Sequence, residues 1–151
     1  MKSFAAVLAL AALPLIPLSA HAQFAKIEDA VKYRKAAFQV MGNHMGRVGA
    51  VVKGERPYDK ASVEADVAII EMMSKLPWQA FPAGSDNIGD TTAHPAIWKE
   101  PEKYQAAAEK MQAEVAKLSV AARSGDLASI RTAFGNTGQS CKACHDNFRR
   151  K

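Results

Sequence analysis

Apolar residues recur every three or four positions along four stretches of this chain, and after residue 22 no stretch alternates with a period of two. That spacing sets the fold class. A stripe repeating every three or four residues lies on one side of an α-helix, and one-sided helices bury their stripes against one another. The first stripe is Ile27, Ala30/Val31, Arg34, Phe38, Met41, Met45, Val48 and Val52. It predicts a helix roughly 39 Å long at 1.5 Å per residue, ended by Gly54 and Pro57. The second opens at a capping residue, Asp59, runs through Val63, Val67, Ile70 and Met73 to Leu76, and is stopped by Pro77. The third begins near Pro101, which suits a first turn, and passes Tyr104, Ala108, Met111, Val115 and Leu118 to Gly125. The fourth starts at Asp126 and carries Leu127, Ile130 and Phe134 into the end of the chain. Gly135 and Gly138 lower its propensity by up to about 1 kcal/mol each relative to alanine. They mark either the close approach of something bulky or a break.

Most links between these stretches are short, which makes neighbouring helices antiparallel. The exception is PWQAFPAGSDNIGDTTAHPAIWKE, residues 77–100. The expectation is an all-α, up-down-up-down four-helix bundle with one long crossover. At 151 residues, 48% hydrophobic and 23% charged, the chain suits one such domain.

Residues 1–22, MKSFAAVLALAALPLIPLSAHA, stand outside the pattern. Lys2 precedes an apolar run from Phe4 to about Leu18, and Ala20-His21-Ala22 forms an A-x-A cleavage site. This is the make-up of a secretory signal peptide removed before Gln23. A membrane anchor is the alternative, but the run is short, Pro14 and Pro17 interrupt it, and no stop-transfer flank follows. The expected product is an exported, periplasmic domain of residues 23–151 with no further membrane segment. It keeps 19 basic and 15 acidic residues, a spread-out +4 that lacks the basic stripe nucleic acid requires.

Both cysteines fall in SCKACHDNFRRK, residues 140–151. Exported proteins often pair two cysteines, yet a disulfide between Cys141 and Cys144 would close a tiny loop and add little stability. A redox-active C-x-x-C usually follows a strand, and no strand is predicted here. Neither reading accounts for His145. Positions i, i+3 and i+4 of a helix share a face, so Cys141, Cys144 and His145 can all meet one flat object. C-x-x-C-H is the attachment signature of c-type haem. Cys141 and Cys144 would form the two thioether links and His145 the proximal iron ligand, with one haem per chain. Zinc competes, but a structural site needs four ligands, and after removal of residues 1–22 only His44 and His94 remain as histidines beyond the motif. Met41, His44, Met45, Met72, Met73, His94 and Met111 are all candidate sixth ligands; core filling explains each methionine equally well.

KYRKAAFQVMGNHMG in the first helix, LPWQAF after the second, AFGNTGQSCKACH in the fourth and the basic end together resemble the class II cytochromes c, most closely the cytochromes c′. The resemblance covers essentially the whole chain after residue 22 and implies a four-helix bundle with a C-terminal haem motif. Low-spin members look similar but carry a ligating methionine four residues after the first-helix arginine. Here the residue four after Arg34 is Phe38, which has no lone pair to donate. The resemblance therefore implies five-coordinate, high-spin iron with Phe38 over the vacant position and Trp78 and Met41 nearby. A slip of one turn would make Met41 a ligand instead. Arg34 resembles an arginine paired with a haem propionate, Lys35 would sit beside the same propionate, and Arg149 would lie against His145. Trp78 and Phe134 would pack on the haem, although core filling would look identical. The family is usually a homodimer built on the first two helices, for which Val48, Val52, Val63 and Val67 form either the face or part of the core.

A vacant site behind a phenyl ring, without a strong hydrogen-bond donor, favours nitric oxide and carbon monoxide over dioxygen. The expected function is periplasmic gas binding that protects against nitric oxide, with nitric oxide able to end on the proximal side in place of His145. The alternative is a periplasmic electron carrier of the same class with an unidentified redox partner. Peroxidase chemistry needs a distal acid–base group where Phe38 stands, so the chain is read as a non-enzyme.

Overall fold

The computed structural model describes residues 23–151; the expected signal peptide lies outside them. α1 spans Ile27–Val52, α2 Lys60–Met73, α3 Ala96–Lys99, α4 Pro101–Ser124 and α5 Leu127–Phe148, and the described residues include no strand. The four long helices are those the apolar periodicity predicts. α3 and a 3-10 turn, Pro77–Ala80, are additions within the crossover. α1 packs on α2, α2 on α4, α4 on α5, and α5 returns to α1, which closes an antiparallel four-helix bundle. Among the described residues no helix is long and apolar enough to cross a membrane.

The helix ends follow from local chemistry. Asp59 accepts from the Ser62 N–H at 2.8 Å, and Asp126 accepts from Ala128 and Ser129 at 3.3 and 3.0 Å. Gly125, at φ +77°, lets α4 turn directly into α5. α2 ends at Met73, three residues earlier than expected. Pro77 has no N–H, and its ring crowds the carbonyl four residues back, so the chain leaves the helix in tighter turns from Met72 and Met73. α5 runs unbroken through Gly135 and Gly138.

The main core holds Val48, Ile70, Val115, Leu118 and Ile130 from all four long helices. Val48, Val52, Val63 and Val67 belong to it at 7% exposure or less, so they cannot supply a dimer face. For Phe134 the structure decides for core filling over haem packing. The side chain packs against this core and touches Gly49, where an added Cβ would lie 3.1 Å from the ring, instead of lining a haem site.

A second, smaller cluster gathers Ala93, Ile97 and Phe148 with Phe81, Trp98, Tyr104 and Cys144 around it. The tail ties it down. His94 donates its N–H to Phe148 O at 3.0 Å and Arg150 donates to Thr92 O at 2.7 Å, forming an antiparallel bridge between Ala93 and Arg149.

Candidate functional site

A cavity of about 720 Å³ opens between α1, α5 and the crossover, within the usual range for a cofactor site. Its width has a sequence cause. α1 and α5 touch at Gly49 and Phe134 but separate towards the cavity, where Cβ atoms added at Gly42 or Gly138 would meet nothing within 4 Å. Gly138 thus marks room for a bulky group, one of the two readings its position allowed.

Cys141, Cys144 and His145 share the α5 wall of this cavity, as the i, i+3, i+4 spacing requires. Both thiols are free and half-buried. Burial pushes them up, Cys144 to about 11, and keeps them protonated. Burial, and behind it the Arg149 guanidinium, pushes the His145 imidazole below its usual value against the pull of Asp146. The shift favours the neutral ring, the form that can ligate a metal. Arg149 lies one turn on and also lines the cavity, and its backbone N–H donates to His145 O at 3.1 Å. Two thiols and a neutral imidazole on one wall, facing a large apolar space lined with glycines, fit a covalently held haem.

The opposite wall carries Phe38. Its ring meets Trp78 edge-on at 5.8 Å, and the indole is itself fixed by donating to Ser74 O at 2.6 Å. Tyr104 stands edge-on to Trp78, Phe81 and Phe148. Burial drives its hydroxyl far above the ordinary phenol range, so it stays neutral.

The seven candidate sixth ligands now divide. Met41, Met45 and Met111 line the cavity, whereas Met73 packs against the main core and Met72 is exposed. His44 is paired with Asp66 across α1 and α2, Nδ1 to Oδ1 at 2.6 Å. His94 accepts the Ala96 N–H at 3.1 Å.

Arg34 reaches the cavity, but its guanidinium is taken up by the crossover: it is 2% exposed and donates to Ala80 O, Ser85 O, Ser85 Oγ and Thr91 Oγ1. Lys35 sits on the rim in an ion pair with Asp90, which holds that carboxyl below its usual value. Sequence reasoning did not find Phe81, Thr91, Ile97, Tyr104 or Phe148, all of which line the cavity. The one available signal was the density of aromatics on either side of the crossover.

Residues 29–149 match the family model described as Cytochrome C′. The chain is 48% identical over 129 residues to the cytochrome c′ of Alcaligenes xylosoxydans xylosoxydans, covering 85% of this chain and 99% of that protein. The corresponding protein of Rubrivivax gelatinosus is 43% identical, over 85% of this chain and all of its own length. Its crystal structure aligns with a TM-score of 0.82, at 43% identity and with 85% and 100% of the two chains covered. A nitric oxide complex of a variant cytochrome c prime from Alcaligenes xylosoxidans aligns at 0.80, with 46% identity and 85% and 99% covered. Helix order, haem motif and relatives agree, and the chain belongs to the cytochrome c′ family, whose cofactor is c-type haem.

Proposed function

We propose that this chain is a periplasmic haem protein that binds nitric oxide and carbon monoxide and protects against nitric oxide, with ligands reaching the iron past Phe38 and nitric oxide able to end on the proximal side in place of His145. When bound, c-type haem supplies an iron with one position free for a diatomic ligand. Cys141 and Cys144 would hold it covalently, one per chain, and the neutral His145 would occupy the proximal position. Phe38 carries this reading. Its ring has no polar atom, is braced by Trp78, and is half-buried, so an incoming ligand must push it aside and finds no donor there of the kind dioxygen prefers. The same ring leaves no acid–base group in place for O–O cleavage, which favours ligand binding over catalysis. Solved relatives support the ligand class: cytochrome c prime from Alcaligenes xylosoxidans has been captured with nitric oxide and, in another variant, with carbon monoxide.

The test is the optical spectrum of the purified holoprotein. A high-spin ferrous form that takes up carbon monoxide is expected, and Phe38→Ala should speed that uptake by about tenfold or more, as when a barrier falls by some 1.4 kcal/mol. A sharp low-spin spectrum indifferent to carbon monoxide would instead support the electron-carrier reading, with cavity-lining Met41 as the first ligand to replace. Export is read from the A-x-A site and predicts a mature N-terminus at Gln23.

A homodimer completes the proposal; with Val48, Val52, Val63 and Val67 taken up in the core, its face lies elsewhere. Ala61, Ala65, Ala68 and Met72 form an exposed apolar stripe along α2, with Met72 61% exposed. A second copy of this chain would cover it. Met72→Glu should then shift the sedimenting species from dimer to monomer; an unchanged dimer would rule out this stripe.

A further inference from the structure

Arg34 and Lys35 are neighbours on α1, both line the cavity, and they are held in opposite ways. An arginine has five N–H donors, four of them on the two terminal nitrogens. In Arg34, Nη1 donates to Ala80 O at 2.9 Å and Ser85 Oγ at 2.6 Å, while Nη2 donates to Ser85 O at 2.7 Å and Thr91 Oγ1 at 2.9 Å. The guanidinium carbon also sits 4.4 Å from the centre of the Phe81 ring. Thr91 Oγ1 in turn accepts the Ala93 N–H at 3.2 Å, and Ala93 bridges Arg149 beside His145. One buried side chain therefore gathers residues 80–93 and fixes the loop that walls the cavity. The fork that would grip a carboxylate is already spent, leaving only Nε–H.

Lys35 has the reverse character. Its amine is half-exposed at the cavity rim, and its partner is the carboxylate of Asp90, a side chain 86% exposed on the same rim. Exposed ion pairs of this kind are weakly held, and a lysine amine is a mobile point charge that can change partner.

We propose that Arg34 is a positioning residue acting on the site through the crossover, and that Lys35 is the cation that meets a haem carboxylate, giving up Asp90 to do so. This rests on the haem reading above, and the test separates the two. The covalently attached haem is first confirmed by the mass of the purified chain; its absence would refute the haem reading itself. On the loaded protein, resonance Raman of the propionate-bending band reports contact with the carboxylate, and backbone hydrogen exchange over residues 80–93 reports the order of the crossover.

Lys35→Met should move the Raman band and change exchange by less than about twofold, since an exposed pair contributes little to local stability. Arg34→Lys, which keeps the charge but loses the fork, should leave the band in place and speed exchange by roughly tenfold or more, through loss of charge-assisted hydrogen bonds. A band that moves with Arg34→Lys, or stays still with Lys35→Met, overturns the assignment of Lys35. Unchanged exchange in Arg34→Lys overturns the positioning role. If Arg34→Lys does not fold, the double variant Ser85→Ala/Thr91→Val removes two acceptors and leaves both cations intact. It should loosen residues 80–93 with the band unmoved; a shifted band, or exchange as slow as in the parent, would refute the proposal.

Discussion

The two ends of the bundle are made of different material. At the closed end the interior is aliphatic and sealed: Val48, Ile70, Leu118 and Ile130 have no exposed surface. At the open end the walls are aromatic, with Phe81, Trp98 and Tyr104 around Phe148, and they come from the crossover and the adjoining ends of α4 and α5. Along α1 the change takes two turns. A Cβ at Gly49 would press on Phe134 at 3.1 Å, while a Cβ at Gly42 would meet nothing within 4 Å. The helices are in contact where they need only hold together and apart where they enclose something. Stability and ligand binding are thus assigned to separate parts of one small domain, and the open end withholds the contacts that a cofactor can make.

The largest effect that would break this division lies at Leu118. Leu118→Ala should lower the unfolding free energy in urea by about 2–5 kcal/mol, the range for a leucine lost from a tightly packed core. Its holoprotein should nevertheless keep the parent ferric spectrum and carbon monoxide kinetics. Phe38→Ala should do the converse, costing less than about 2 kcal/mol because the ring is only half-buried, while changing the ligand kinetics. If both variants lose the same stability, or if Leu118→Ala alters the spectrum, the two ends are not separate.

A pair of glycines sharpens the contrast. Gly49→Ala should destabilise the bundle by about 1–3 kcal/mol, because Phe134 must yield against a packed interface. Gly138→Leu should gain up to about 1 kcal/mol of helix propensity, since its Cβ meets nothing within 4 Å. The added side chain would, however, fill space one turn before Cys141, and the fraction of chains carrying covalent haem should fall sharply by mass spectrometry. Parent-like haem loading in Gly138→Leu would remove the reason for reading this cavity as the haem site.

The closed end was legible in the sequence because its determinants are local. Asp59, Gly125 and Asp126 act within a turn of where they stand, and each appears at the helix boundary it signals. The attachment motif was equally legible, since three residues of α5 carry its chemistry alone. The crossover was not. Its course is set by the grip of Arg34 on residues 46 to 57 positions away and by backbone pairing with the tail, neither of which leaves a periodic trace. The role of the four valines was open for a related reason: Val48, Val52, Val63 and Val67 read equally as a dimer face or as core, and only their burial decides for the core. Likewise, only three-dimensional placement could divide Met41 and Met111, in the cavity wall, from Met72 outside it.

The smallest expected effect concerns acid, and it too separates the two ends. The Asp126 carboxyl is held below its ordinary value by the Ser129 hydroxyl, then by the Ser129 and Ala128 N–H groups; Asp59 is held down in the same way by Ser62. Both caps meet at the closed end, where Tyr58 donates to Gly125 O at 2.9 Å. A carboxyl whose folded pKa is depressed contributes stability that is fully present above its unfolded pKa, about 3.9, and is lost as pH falls through the lower folded value. The caps' contribution to the urea midpoint should therefore stay flat from neutral pH to about 5 and decline below about 4. Asp126→Asn keeps a capping acceptor but removes the titration. It should match the parent at pH 7 and lose less on acidification to pH 3. Asp90→Asn, which breaks only the exposed pair with Lys35 at the cavity rim, should change that acid slope less. If Asp90→Asn flattens the slope as much as Asp126→Asn does, the acid-sensitive stability belongs to the cavity rim and not to the helix caps.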